Sequence, residues 1–238
     1  MKKVCIVGAG IGGLTSAVRL AKEGFEVHVF EQKHEAGGKI SEINGAGFRF
    51  DAGPSLFTMP HYISNLLSPD ISFQFKKLNT LCHYFFPDGT FFPCPAEPEI
   101  FVKQASKIFN EDEKKLSDHF NYSKYLYTIT APVFLEKSLH RRSTYTSATG
   151  LRGILNLPFI GIHRSMHKAN SKRFKNPNLV QLFNRYATYN GSNPWKAPST
   201  LNVIPYLEMG LGAYFPKGGM ISIARTLQRQ AELLGVKF

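Results

Sequence analysis

The spacing of apolar residues changes twice within residues 1–31. Val4 to Val7 is a short apolar run and predicts a buried strand. Leu14, Ala17, Val18 and Ala21 then recur at helical spacing, with Arg19, Lys22 and Glu23 on the other faces. This predicts a helix over 11–23, stopped by Gly24. FEVHVFE alternates with a period of two and predicts a second strand ending at Glu31. Farther on, the pattern predicts a strand near 47–51, a short helix over 60–67 and a strand over ISFQF. LCHYFFPDGTFFPCP reads as a hairpin with Asp88-Gly89 as its turn. Helices are expected over 98–109, with Pro98 at a favoured early position, and over 110–130, where Leu116, Phe120 and Leu126 share an apolar side. Two more are expected over 178–186 and 219–234, and GVKF has the look of a strand. The basic segment 137–175 carries LRGILNLPFIGI at its middle, and Pro158 excludes one unbroken helix there.

The junction between the first strand and the first helix holds the candidate chemistry. Gly8, Gly10 and Gly13 form G-x-G-x-x-G, with Ile11 and Gly12 at the helix start. The two leading lysines and the apolar run also have the parts of an export leader. The glycines interrupt what would have to be a continuous apolar helix, and the amphipathic helix and acid-terminated strand that follow favour dinucleotide binding. In that reading the first glycine makes the turn, the second lets backbone approach a pyrophosphate, and the third lets the helix pack closely. The helix N-terminus offers free N–H groups to phosphate. Glu31, about 20 residues on, can accept from a ribose diol, with Gln32 beside it.

Length and composition narrow the class further. The 238 residues suffice for one large or two small domains. No stretch approaches the ~20 apolar residues of a membrane-spanning helix. The cysteines, Cys5, Cys82 and Cys94, are odd in number and lack metal spacing, which suits a reducing cytosol, with Cys5 expected to be buried in the first strand. The net charge of +12 is concentrated in one block, since Lys137 to Leu207 contains no Asp or Glu. Such a block can face anionic lipid, nucleic acid or water. It carries no nucleic-acid-binding motif, so a nucleic-acid partner is not expected. His163 and His167, four apart, could share a helical face but lack a third ligand nearby, and no metal is expected.

The stretch VCIVGAGIGGLTSAVRLAKEGFEVHVFEQKHEAGGKISE, then GFRFDAGPSLFTMP, resembles the start of flavin-dependent carotenoid desaturases of the phytoene-desaturase type. RYATYNGSNPWKAPSTLNVIPYLEMGLGAYFPKGGM and the PDGT hairpin resemble the middle of those proteins, and GPSLFTMP is most similar to hydroxycarotenoid 3,4-desaturases. The resemblance implies an α/β fold, α+β overall: an FAD-binding, Rossmann-like doubly wound domain with an inserted domain that meets substrate and membrane. Residues 1–70 would start the FAD domain, 71–215 form the inserted region and 216–238 return to the FAD domain. The cofactor implied is FAD. Gly37-Gly38 matches the second glycine pair of such enzymes, followed here by Lys39 where the family usually has Arg, a point charge in place of a fork. Gly53, Pro54 and Ser55 would lie near the flavin, on a turn that brings backbone to a ring system.

The implied reaction is hydride loss from an allylic carbon of a carotenoid to the flavin, with quinone or oxygen as electron acceptor. The cofactor supplies the hard chemistry, and no catalytic residue is assigned. The implied location is the cytoplasm, with peripheral membrane contact through the basic and apolar segment at 151–168. Family members are roughly twice this length, so the expectation is a fragment, or a chain completed by a second polypeptide, that binds FAD poorly alone. A carotenoid isomerase, a carotenoid aldehyde-forming oxidase and an amine oxidase fit the same early motifs, and the acid-free block also fits an inactive truncated chain that binds membrane surfaces or nucleic acid.

Overall fold

A computed structural model describes residues 2–238. The first elements are β1 (Lys3–Val7), α1 (Ile11–Lys22), β2 (Glu26–Phe30), β3 (Ser41–Gly45), β4 (Phe48–Ala52), β5 (Phe57–Thr58), α2 (His61–Ser64) and β6 (Phe75–Lys77). A hairpin follows, β7 (Thr80–Phe85) and β8 (Phe91–Pro95), then α3 (Pro98–Phe109), α4 (Glu113–Phe134), α5 (Arg142–Thr146), α6 (Ala148–Leu155), α7 (Met166–Arg173) and α8 (Pro177–Asn184). Short 3-10 and π turns run through Arg185–Gly210 before β9 (Ala213–Pro216) and α9 (Ile221–Leu233). The chain divides into two units, Met1–Leu78 with Ala213–Phe238, and Asn79–Gly212. Residues 71–78 and 213–215, grouped by sequence with the middle region, thus pack in the first unit. The cause is β9, which pairs with β5 on one side and β6 on the other.

In the first unit, β1 and β2 pair in parallel and α1 crosses between them. Val236–Lys237 extends the sheet beyond β2: Val29 N–H donates to Lys237 O at 2.8 Å, and Lys237 N–H donates to Val27 O at 3.1 Å. The GVKF segment is therefore a parallel neighbour of β2. Leu14, Ala17 and Val18 of α1 are fully buried, and α9 packs on them with Ile221, Ala224, Leu227 and Ala231.

Burial corrects two expectations here. The run 4–7 is not a fully buried strand: β1 alternates, Val7 is 90% exposed and Cys5 is exposed. Successive strand side chains point to opposite faces; α1 and α9 cover only one of them. ISFQF forms a strand only at its last residue, because the pairing that defines β6 is with Tyr214–Pro216 of β9. Ile71 is buried in the loop before it.

The second unit is built on aromatics. Phe92 of β8 meets Phe101 and Phe109 of α3 edge-on, at 5.4 and 5.2 Å between ring centroids. Phe101 meets Phe120 of α4 at 5.2 Å. Such edge-to-face pairs add to plain area burial. α4 starts later than the apolar pattern implies because Asp112 caps it, accepting from Lys114 N–H at 2.7 Å. The Asp88-Gly89 turn forms as expected, with Gly89 at φ 84° and Phe86 N–H donating to Thr90 O at 2.9 Å. No helix among the described residues is long and apolar enough to cross a membrane.

Candidate functional site

The glycine loop is held from three directions. Gly8 takes φ 96° and donates to Phe30 O at 2.7 Å, tying the loop to the end of β2. A Cβ on Gly13 would come closer than 3.0 Å to the carbonyl oxygen of Gly8, so α1 lies directly on the turn. A Cβ on Gly38 would meet Gly10 Cα at 3.1 Å, and Gly37 N–H donates to Ala9 O at 2.9 Å. The second glycine pair thus packs backbone to backbone on the first loop. Gly10 caps α1 without a side chain and the first turn carries no acid, so the helix N-terminus keeps its free donors. A Cβ on Gly12 would meet nothing within 4 Å, so that face of the turn is open.

Glu31, the first residue after β2, binds the loop itself. Its Oε2 accepts from Ala9 N–H at 2.6 Å and its Oε1 from Lys33 N–H at 3.0 Å. These bonds, Ala9 first and then Lys33, hold its carboxyl below the usual carboxylate range. A carboxylate offers about four acceptor positions, so Glu31 can brace the loop and still receive a ribose hydroxyl. Because its folded pKa is depressed, the stabilisation is present above the unfolded value of about 4.3 and is lost as pH falls through the folded one. Chemical denaturation of wild type and Glu31→Gln is expected to show a constant stability gap from pH 7 to about 4.5. The gap closes below that; a gap unchanged at pH 3 would contradict this role.

The remaining sequence-derived positions fall around this loop with less definition. Lys33 Nζ donates to Gly38 O at 3.4 Å. Gln32 and Lys39 are exposed. A Cβ on Gly53, at φ 143°, would press on Lys39 O closer than 3.0 Å, so the DAGPS turn touches the segment after Gly38. Pro54 and Ser55 are exposed beyond it. His163 precedes α7 and does not share its face with His167, which stacks on Trp195 and bonds Asn184 at 2.9 Å. Among the described residues, no group of three or more His, Cys, Asp or Glu is placed to hold a metal.

Two clusters escaped the sequence reading. Arg49 bonds Asp51 at 2.9 Å and lies against Gly219, while Asp51 also accepts from Met220 N–H at 3.0 Å just before α9. Arg225 of α9 pairs with Glu35 and Glu42. These contacts fasten the β3–β4 hairpin to α9, across 169 residues in the case of Asp51. In the second unit, Glu208 is fully buried and accepts from Arg185 Nη2 at 3.2 Å and from Tyr189 OH. Arg185 Nε donates to Tyr84 OH at 2.7 Å, beside Cys82 and Cys94, which face each other across β7 and β8. Isolated polar residues in a sequence carry no signal of such pairing.

Comparison with known proteins bears on this geometry. Residues 6–68 match the NAD(P)-binding Rossmann-like domain family. Over 242 aligned residues the chain is 50% identical to 1-hydroxycarotenoid 3,4-desaturase of Flavobacterium sp., covering 100% of this chain and 49% of that protein. The chain matches the N-terminal half of a carotenoid desaturase. It is also 31% identical to 4,4'-diapolycopene oxygenase of Methylomonas sp., over 99% of this chain and 48% of that one. An oxidoreductase from Methanosarcina mazei shares the fold at a TM-score of 0.62 and 17% identity, over 100% of this chain and 50% of its own. The desaturase resemblance and the Rossmann-like α/β fold expected from sequence are both borne out. The chain spans about half the length of the curated relatives it matches.

Proposed function

We propose that the protein is the FAD-binding and substrate-facing part of a flavin-dependent oxidoreductase that desaturates a carotenoid. The observation that carries this reading is the double glycine cradle, with Gly38 backbone laid on Gly10 under the open N-terminus of α1. That donor set fits a diphosphate. Gly8, Gly10, Ile11, Gly12 and Gly13 would hold it, and Glu31 with Gln32 would face the ribose. Gly38, Lys39 and the Gly53–Ser55 turn would follow toward the ring. Bound there, FAD supplies a hydride acceptor for an allylic C–H of the substrate. The protein's own share is to brace the loop through Glu31, to keep side chains off the cradle and to meet the bilayer that dissolves the substrate.

An exposed apolar face supports the membrane part of the proposal. Leu151, Ile154, Leu155, Phe159 and Ile162 are exposed on and after α6, Leu155 at 75% and Phe159 at 67%. Basic residues flank them on both sides, which is the composition of an interfacial segment. The location proposed is therefore the cytoplasmic membrane surface.

Fluorescence titration of the purified chain tests the cofactor. Weak but saturable quenching of FAD that NAD does not displace is the expected result; NAD displacing FAD at equal concentration would overturn it. The reaction is then read by mass. The full protein with a hydroxylated carotenoid in liposomes is expected to yield a product lighter by two hydrogens. An isomerase would leave the mass unchanged, and an oxygenase would raise it.

A further inference from the structure

The second unit contains a cavity of about 610 Å³ between α4, the turn after α6, α7 and the 3-10 turn at Ser199–Val203. This volume falls in the range of small-ligand sites, roughly 300–1,000 Å³. Its walls are cationic. Arg164, Lys172 and Arg173 line it, against a single carboxylate, Asp118. Asp118 is already bonded by Lys114 at 2.7 Å, and Lys115, the remaining cation of the wall, pairs with Glu111 at 3.5 Å.

Arg173 is the unusual member. It is half-buried, its guanidinium lies 5.1 Å from the Tyr122 ring centroid, and its Nη1 donates to His119 Nδ1 at 2.6 Å. It makes no ion pair with any described residue. His119 is fully buried, and burial holds it neutral, so it neutralises nothing. Burial disfavours the Arg173 charge; Tyr122 and Asp118 nearby offset part of that, and Arg164 adds a smaller repulsion. Asp118 is shared with Lys114, so a guanidinium partly removed from water has no carboxylate bonded to it here, which is costly. Asn202 forms another part of the wall; it is 2% exposed, and its Oδ1 is buried with no partner. An amide oxygen accepts, so this atom suits a hydroxyl of a ligand and not a phosphate oxygen.

We propose that this cavity binds a phosphate ester, with Arg164 and Arg173 on its phosphate oxygens. Planar guanidinium groups match phosphate geometry. Phe159 belongs to both the cavity wall and the exposed apolar face, so an ester whose tail stays in a bilayer can reach the cavity from that face. The headgroup of an anionic phospholipid and a soluble phosphate ester share this chemistry. The site is separate from the glycine cradle and does not depend on what binds there.

Glycerol 3-phosphate is the probe, titrated calorimetrically into the full chain in chloride buffer. Arg164→Gln/Arg173→Gln is compared with Arg141→Gln/Arg142→Gln, which removes the same charge from exposed positions outside the cavity. Wild type and the outer variant are expected to bind alike, and the cavity variant about tenfold more weakly or worse, as the loss of charge-assisted bonds implies. No saturable binding by wild type, or equal weakening in both variants, would overturn the site. Arg164→Gln alone guards against misfolding, since Arg164 is exposed; unaltered binding in that variant with a native melting curve also counts against the site. Flotation with phosphatidic acid in phosphatidylcholine vesicles separates the sources. Lipid-dependent recovery that glycerol 3-phosphate reverses supports the headgroup; calorimetric binding without such recovery supports a soluble ester.

Discussion

Gly13→Ala is expected to abolish dinucleotide binding. The added Cβ would sit closer than 3.0 Å to Gly8 O, and the backbone that carries each atom is held elsewhere. Gly8 is tied to Phe30 by its N–H, and α1 is held by the fully buried Leu14, Ala17 and Val18. Neither side can yield without moving the helix off the turn. Forcing extra volume into a packed site costs about 1–3 kcal/mol, and the displaced loop loses its register with Gly38 and with Glu31. Flavin titration of Gly13→Ala should show at least a hundredfold loss of affinity alongside a lowered melting temperature. Gly45→Ala is the internal control, because its Cβ meets nothing within 4 Å and it lies in β3, outside the cradle. Equal affinity for Gly13→Ala and wild type would remove the cradle reading.

Glu208→Ala is expected to destabilise the second unit by about 3–5 kcal/mol, the usual consequence of stripping one partner from a buried ion pair. Glu208 is fully buried and is the carboxylate bonded to Arg185. Arg185 is also clasped by rings, 4.6 Å from the Tyr186 centroid and 5.7 Å from that of Tyr84. After the substitution its guanidinium would remain among aromatic groups with no negative charge beside it, and the Tyr189 hydroxyl would lose its acceptor. Urea denaturation followed by tyrosine and tryptophan fluorescence reads the change. Glu208→Gln, which keeps the shape and one acceptor, should lose less. A loss below about 1 kcal/mol for Glu208→Ala would mean that water replaces the carboxylate, as it does for exposed pairs.

The two predictions probe features of different legibility. The Gly13 effect is written in the sequence: a residue with no Cβ, three after Gly10, between an apolar run and a helical pattern. Local geometry alone requires it, because the atoms that clash are five residues apart. Glu208 and Arg185 are 23 residues apart in segments with no regular period, and nothing in composition distinguishes that glutamate from an exposed one. Cys5 and Val7 failed for a related reason. Their strand was recognisable, but which of its faces other elements would cover was not.

The sequence by itself determined the β1–α1–β2 unit, the position of its glycines and acid, the Asp88-Gly89 hairpin and the helix Pro98–Phe109. Each depends on backbone angles or hydrophobic periods set within a few residues. Tertiary structure decided that β9 separates β5 from β6, that α9 returns to α1 and brings Lys237 beside β2, and that Gly38 lies on Gly10. It also gathered Arg164, Arg173 and Asn202 around one cavity. These are contacts between distant segments, where the free energy comes from buried area and completed hydrogen bonds that no local pattern encodes.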